Sequence, residues 1–114
     1  MGDYVNILIM GISKSGKTSI KKVKGAKKAI SVTWKKVSGV SGYQVQYSTS
    51  KKFTKKTTKA VTCKGNKNFT KNISKLKSKK TYYVRVRTYK TVKVNGKSTK
   101  VYSNWSKVNS VKTK

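Results

Sequence analysis

Histidine, glutamate and proline are absent from this 114-residue sequence, and aspartate and cysteine occur once each, as Asp3 and Cys63. General acid–base catalysis and protein metal sites draw mostly on His, Glu, Asp and Cys. A carboxylate pair, a Ser-His-Asp triad and a multi-ligand metal centre are therefore excluded by arithmetic. Lysine-based nucleophilic chemistry survives, but it needs one lysine with a depressed pKa, and nothing in the sequence marks one. The expectation is no enzyme, no metal and no cofactor. A single thiol excludes an internal disulfide. Cys63 reads as a small strand residue, with an intermolecular bridge or a reactive thiol as the alternative.

Long apolar runs are scarce as well. The stretch YVNILIMGI, residues 4–12, is too short to span a bilayer and comes after Asp3 rather than a basic residue, so neither membrane insertion nor an ordinary signal peptide is expected. Any export signal would lie outside this chain. An apolar run without proline is an assembly hazard when exposed, which makes self-association through residues 4–12 an expectation too.

The deficit of acidic residues leaves a large excess of positive charge. Thirty Lys and Arg, only two of them Arg, face the single Asp3 for a formal net charge of +29. Such a chain repels itself unless salt or polyanions screen it. The length suits one domain with a modest core.

After residue 29 the apolar period is two, the mark of half-buried strands. AISVTWK sets Ile30, Val32 and Trp34 against Ser31, Thr33 and Lys35. GYQVQYS sets Tyr43, Val45 and Tyr47 against Gln44 and Gln46, and TYYVRVRTY sets Tyr82, Val84 and Val86 against Tyr83, Arg85 and Arg87. FTKNISKL, with Phe69, Ile73 and Leu76, is less regular; KVNSVKT offers Val108 and Val111, and SIKKV a short first strand. Turn signals fall at Gly25, at Gly39 with Gly42, and at residues 64–68 and 77–80. Asn95-Gly96 supplies the two positive φ values of a type I′ turn and predicts a projecting hairpin over residues 90–102. No long helical pattern occurs after residue 29. Short strands separated by glycine turns predict an all-β antiparallel sandwich or barrel.

One motif points elsewhere. Residues 11–18 read GISKSGKT, a G-x-x-x-x-G-K-T phosphate-cradling loop in which backbone amides and a lysine hold nucleotide phosphates. Such a loop needs a helix after it and an acidic residue at the magnesium site. Here Gly25 and a strand pattern come soon after Thr18, and Gly, Lys, Ser and Thr are so common that the motif's fixed letters are easily met. GKTSI fits better as the approach to a first sandwich strand, leaving residues 1–18 as an N-terminal extension. A nucleotide-binding loop at residues 11–18 stays as the lesser alternative.

Over residues 19–114 the sequence resembles a fibronectin type III domain. The carriers are Trp34 ending the second strand, the YQVQY alternation, Leu76 with Tyr82 six residues later, and Asn104-Trp105-Ser106 before the last strand. The resemblance implies a seven-stranded Greek-key β-sandwich, immunoglobulin-like, with Trp34, Leu76, Tyr82 and Trp105 as corner and core residues. It also implies that the Tyr82 hydroxyl reaches back to backbone just upstream. The lysine-rich style is similar to modules of Gram-positive bacterial surface proteins. That implies an exported spacer or adhesion element at the cell surface. The absence of proline departs from the family and leaves the boundary of the first strand open. Trp105 has two readings: packing, or a ring folded over the outward strand face and stacked on Arg85 and Arg87.

The fold alone does not assign a role. A surface this cationic attracts anionic polymers by counterion release, so anionic cell-wall polymers, acidic polysaccharides and nonspecific nucleic acid are the expected partners. Arg85, Arg87, Lys90, Lys93, Lys97 and Lys100 are the candidate contacts, because the hairpin concentrates them on one projecting element, with Tyr83, Tyr89 and Tyr102 interleaved for stacking. A dedicated polyanion-binding or nucleic-acid-binding protein is the main alternative. No nucleic-acid motif is present, so sequence-specific reading is not expected.

Overall fold

Side chains that alternate in and out at every second residue can bury one face only by pairing into sheets. In the computed structural model, which describes residues 17–114, this produces eight strands, and no helix occurs among the described residues. They are β1 (Ile20–Ala26), β2 (Ala29–Trp34), β3 (Gly42–Ser48), β4 (Thr58–Lys64), β5 (Thr70–Ile73), β6 (Thr81–Val94), β7 (Lys97–Tyr102) and β8 (Asn109–Lys112). One sheet has the order β1-β2-β5. The other has the order β4-β3-β6-β7, with β8 also on β6. The long β6 takes β8 along Thr81–Val84 and β7 along Tyr89–Val94. The expected seven strands become eight because the last one is interrupted between these two stretches.

The inward faces meet over Ile30, Val32, Trp34, Tyr43, Val45, Ile73, Tyr82, Val84 and Val86, all buried. Trp34 and Tyr43 are fully enclosed, their rings 5.4 Å apart and tilted. Their polar atoms are satisfied without water: Trp34 Nε1 donates to the Asn68 carbonyl at 3.2 Å. The Tyr43 hydroxyl accepts from the Val37 amide at 2.7 Å and donates to the Asn66 carbonyl at 2.8 Å. The chain crosses between sheets from β5 to β6, and there Tyr82 forms the expected corner. Its hydroxyl accepts a 2.9 Å hydrogen bond from the Lys77 amide. Leu76 packs on the core, and its amide donates to the Lys28 carbonyl at 2.9 Å.

Several expectations need correction. Gly25 is not in a turn: it sits inside β1 opposite Ile30, and the turn falls at Lys27 and Lys28, with Lys28 at φ 52°. A Cβ on Gly25 would run into the Lys112 carbonyl, so glycine there permits close approach of β1 and β8. Phe69 and Val108 lie just outside β5 and β8 and stay exposed, while Ile73, Leu76 and Val111 pack inward. Tyr47 faces inward at the sandwich end and is only half-buried. Thr18 is buried, and its hydroxyl donates to the Lys35 carbonyl. Asn95 at φ 52° and Gly96 at φ 80° close the hairpin as expected.

Cys63 lies in β4 and is buried. Burial pushes its thiol pKa up, against a smaller downward pull from Lys71. Its burial in the strand favours the strand-residue reading over the bridge or nucleophile.

Two substitutions test this account by urea denaturation. Tyr82→Phe leaves the Lys77 amide without its acceptor and should lower the unfolding free energy by about 1 kcal/mol. Thr58 Oγ1 is buried with no hydrogen-bond partner, so Thr58→Val, which keeps the branched shape and drops the orphan hydroxyl, should raise stability by about 1 kcal/mol.

Candidate functional site

Where β7 stops, the chain leaves the edge of β6 for six residues, and two serines take the place of a strand partner. The Thr88 amide donates to Ser103 Oγ and the Val86 amide to Ser106 Oγ, both at 3.0 Å. Return bonds run from the Ser103 and Ser106 amides to the Thr88 and Val86 carbonyls, at 3.0 and 2.8 Å. Both serine side chains are buried. The segment between them is thereby pinned over β6, and Trp105 is laid on the outward face.

Even-numbered β6 residues from Tyr82 to Thr88 face inward, so Arg85 and Arg87 face out under that ring. The Trp105 ring lies 4.4 Å from the Arg85 guanidinium and 4.2 Å from that of Arg87. Arg85 is covered on its other side by Phe53 at 4.1 Å, and Arg87 by Tyr102 at 3.7 Å. The stack continues as Tyr102 against Tyr89, and Tyr89 under the Lys100 ammonium at 5.0 Å. Along β3 the register sets Gln46 opposite Arg85 and Gln44 opposite Arg87. Each glutamine oxygen accepts from the arginine Nε, at 2.6 and 2.8 Å.

Burial lowers both arginine pKa values, and for Arg87 the neighbouring Arg85 lowers it further while Tyr102 acts the other way. Guanidinium stays charged in proteins regardless. Each has five N–H donors and spends its Nε on glutamine. The two side chains spring from Cα atoms one strand repeat apart, roughly 6.6 Å, and both are held with donors left for an external anion. Of the two readings of Trp105, this is the stacked one.

The six candidate contacts do not share one surface. Strand alternation puts Arg85, Arg87 and Lys93 on the stacked face of β6, joined by Lys100 opposite Thr91. Lys90, paired with Val101, and Lys97, paired with Val94, point to the other face. Tyr89 and Tyr102 join the stack, and Tyr83 shares their face of β6. Phe53, Gln44 and Gln46 were not among the sequence candidates. The glutamines were readable in principle, since a β3–β6 pairing sets the outward positions of YQVQY against those of YVRVR. Phe53 comes from a turn at positive φ, and no pattern marks it.

Of the phosphate-loop motif, residues 11–16 lie outside the described residues, as do residues 4–12. The chain on the C-terminal side of the motif argues against a nucleotide loop. Thr18 is buried with its hydroxyl committed to Lys35, and the backbone continues as strand β1 rather than a helix. No carboxylate side chain occurs after Asp3 to hold magnesium.

The family model described as "Fibronectin type III domain" matches residues 18–109. No curated protein matches the chain. Solved structures similar in fold include the FN1-FN3 domains of chicken CNTN1, at TM-score 0.64 and 23% identity over 85% of this chain and 29% of that one. A computationally redesigned β-sandwich protein matches at TM-score 0.57 and 14% identity, over 84% of each chain. A myokine matches at TM-score 0.56 and 16% identity, over 87% of this chain and 95% of that one. The chain spans less than a third of the length of the chicken structure.

Trp105→Ala removes one face from each guanidinium and should cost about 1–2 kcal/mol, at roughly 0.5–1 for each cation–π contact; Trp105→Phe should recover part of it in the same melt. Lys17→Ala should leave the melting temperature measured with magnesium and ATP at the wild-type value.

Proposed function

The chain belongs to the fibronectin type III family, and on that premise we propose that it is a noncatalytic module of an exported bacterial cell-surface protein. It acts as a spacer or adhesion element with weak, nonspecific affinity for anionic polymers. Family members are generally structural or binding modules and commonly extracellular, and among the described residues no helix is long and apolar enough to cross a membrane. The observation that carries the polymer affinity is the stacked row of Arg85, Arg87 and Lys100 on an outward sheet face. Its aromatic rings hold the cations in place, and no carboxylate side chain after Asp3 competes for them.

A polymer with repeating negative charges gains on such a row by releasing its counterions, a gain that falls steeply with salt. Rings beside the cations add stacking on sugars or bases without selecting a sequence. Cell-wall polymers, acidic polysaccharides and released DNA fit this chemistry. The same row supports the second reading, a protein whose main task is polyanion binding. Strength separates the two: a spacer retains polymer only at low salt, and a dedicated binder retains it at physiological salt.

Elution from immobilised heparin tests the reading. Lys93→Gln with Lys100→Gln, on the stacked face, should lower the eluting salt concentration more than Lys90→Gln with Lys97→Gln on the opposite face. On duplex DNA the first pair should flatten the log–log salt dependence of binding by about two, near 0.9 per lost phosphate contact. Equal effects of the two pairs would mean diffuse charge with no preferred face. No effect of either would remove the hairpin as a contact.

A further inference from the structure

At the opposite end of β6 from the hairpin tip, a pocket of about 240 Å³ opens between the β4-β3-β6 sheet and the β5–β6 crossover. Tyr47 of β3 and Tyr82 of β6 face into it, their rings 6.5 Å apart and tilted. Leu76 of the crossover adds an aliphatic wall. Four lysines line it from three stretches of chain: Lys56 before β4, Lys59 within β4, and Lys75 and Lys77 on the crossover. All four are exposed. No Asp or Glu after Asp3 can balance them.

Both tyrosines of the pocket have hydroxyl protons to spare. The Tyr82 hydroxyl accepts from the Lys77 amide, so its own proton remains available. The Tyr47 hydroxyl has no hydrogen-bond partner among the described residues, and burial, with Tyr82 beside it, raises its pKa. It is therefore a protonated donor at neutral pH. Two hydroxyl donors, ring and aliphatic walls, and a cationic rim converge on one small hollow.

We propose that this pocket binds a single anionic sugar unit, a hexose carrying a phosphate or a carboxylate. The lysines take the charge, the tyrosine hydroxyls the ring oxygens, and the rings with Leu76 the apolar face of the sugar. The hollow is smaller than the roughly 300–1,000 Å³ of pockets that enclose drug-sized ligands, which suits one monosaccharide. The rim lysines repel one another in the empty protein, and an anion replaces that repulsion with attraction. Twelve residues of β6 separate Tyr82 from the hairpin tip, roughly 40 Å of strand. Tyr82 faces inward on β6 while Arg85 and Arg87 face outward, so the pocket lies on the other side of the strand from the stacked face and stands whether or not that face binds polymer.

Calorimetric titration of the full chain at fixed ionic strength, with glucose 6-phosphate, glucuronate, glucose and inorganic phosphate in parallel, tests it. One or both charged sugars should bind at least about tenfold more tightly than glucose or inorganic phosphate, as loss of either the charge or the sugar body removes several hydrogen bonds. Lys56→Gln with Lys59→Gln should weaken that binding about tenfold and Tyr47→Phe severalfold. Lys22→Gln with Lys24→Gln, on β1 in the other sheet, should leave it unchanged. If the first lysine pair proves unfolded by circular dichroism, Lys75→Gln with Lys77→Gln gives the same test. Three outcomes overturn the proposal: no binding of either charged sugar, inorganic phosphate binding as tightly as they do, or equal weakening by the β1 pair.

Discussion

Every polar contact in this sandwich is made without a carboxylate side chain, because none occurs after Asp3. Among the described residues four cations rest against neutral side-chain partners, of two kinds. One is the aromatic face, whose negative quadrupole attracts a cation: Trp105, Phe53 and Tyr102 for the arginines, Tyr89 for Lys100 and Phe69 for Lys36. The other is the amide oxygen, as in Gln44 and Gln46. Neither neutralises charge. The surface stays cationic while these four side chains are held in place.

The same economy governs the backbone. Hydroxyls close the places where sheet pairing fails: Thr18 on Lys35, Tyr43 between Val37 and Asn66, and Tyr82 under Lys77. Ser103 and Ser106 do so on β6, and Thr113 Oγ1 accepts from the Lys80 amide while donating to the Lys77 carbonyl. A hydroxyl both donates and accepts, so one side chain can bridge two backbone groups without adding charge. At β6 this has a functional result. The break in strand pairing that the serines repair is the break that carries Trp105 over the arginines. The core, the interrupted last strand and the outward stack are three aspects of one arrangement around β6.

The sequence reported the fold through its inward residues. Strict alternation in AISVTW, GYQVQY and TYYVRV, the six-residue step from Leu76 to Tyr82, and Asn95-Gly96 were enough to place β2, β3, β6, the corner and the hairpin. What stayed illegible depends on contacts between distant segments. β4, an edge strand with one buried residue, Cys63, shows little alternation. Gly25 looked like a turn because its real constraint comes from β8, nearly ninety residues later. The stacked site was half legible: Trp105 over two arginines could be read from β6 alternation, whereas Phe53 depends on how a loop folds. The division of the hairpin lysines between two faces was present in the alternation and became visible once the β6–β7 register was fixed.

The way the last residue meets β1 has a mechanical consequence. The Lys114 amide donates to the Ala26 carbonyl at 2.9 Å, and the Lys28 amide donates to the Lys114 carbonyl at 3.3 Å, the pattern of two parallel strands. Thr18 and Lys114 therefore sit toward opposite ends of the sandwich, separated by the run of β1. Tension drawn through those two points pulls β1 and the tail along their length in opposite directions. The bonds between them are loaded side by side and must yield together, the arrangement by which a short patch of hydrogen bonds resists stretching best.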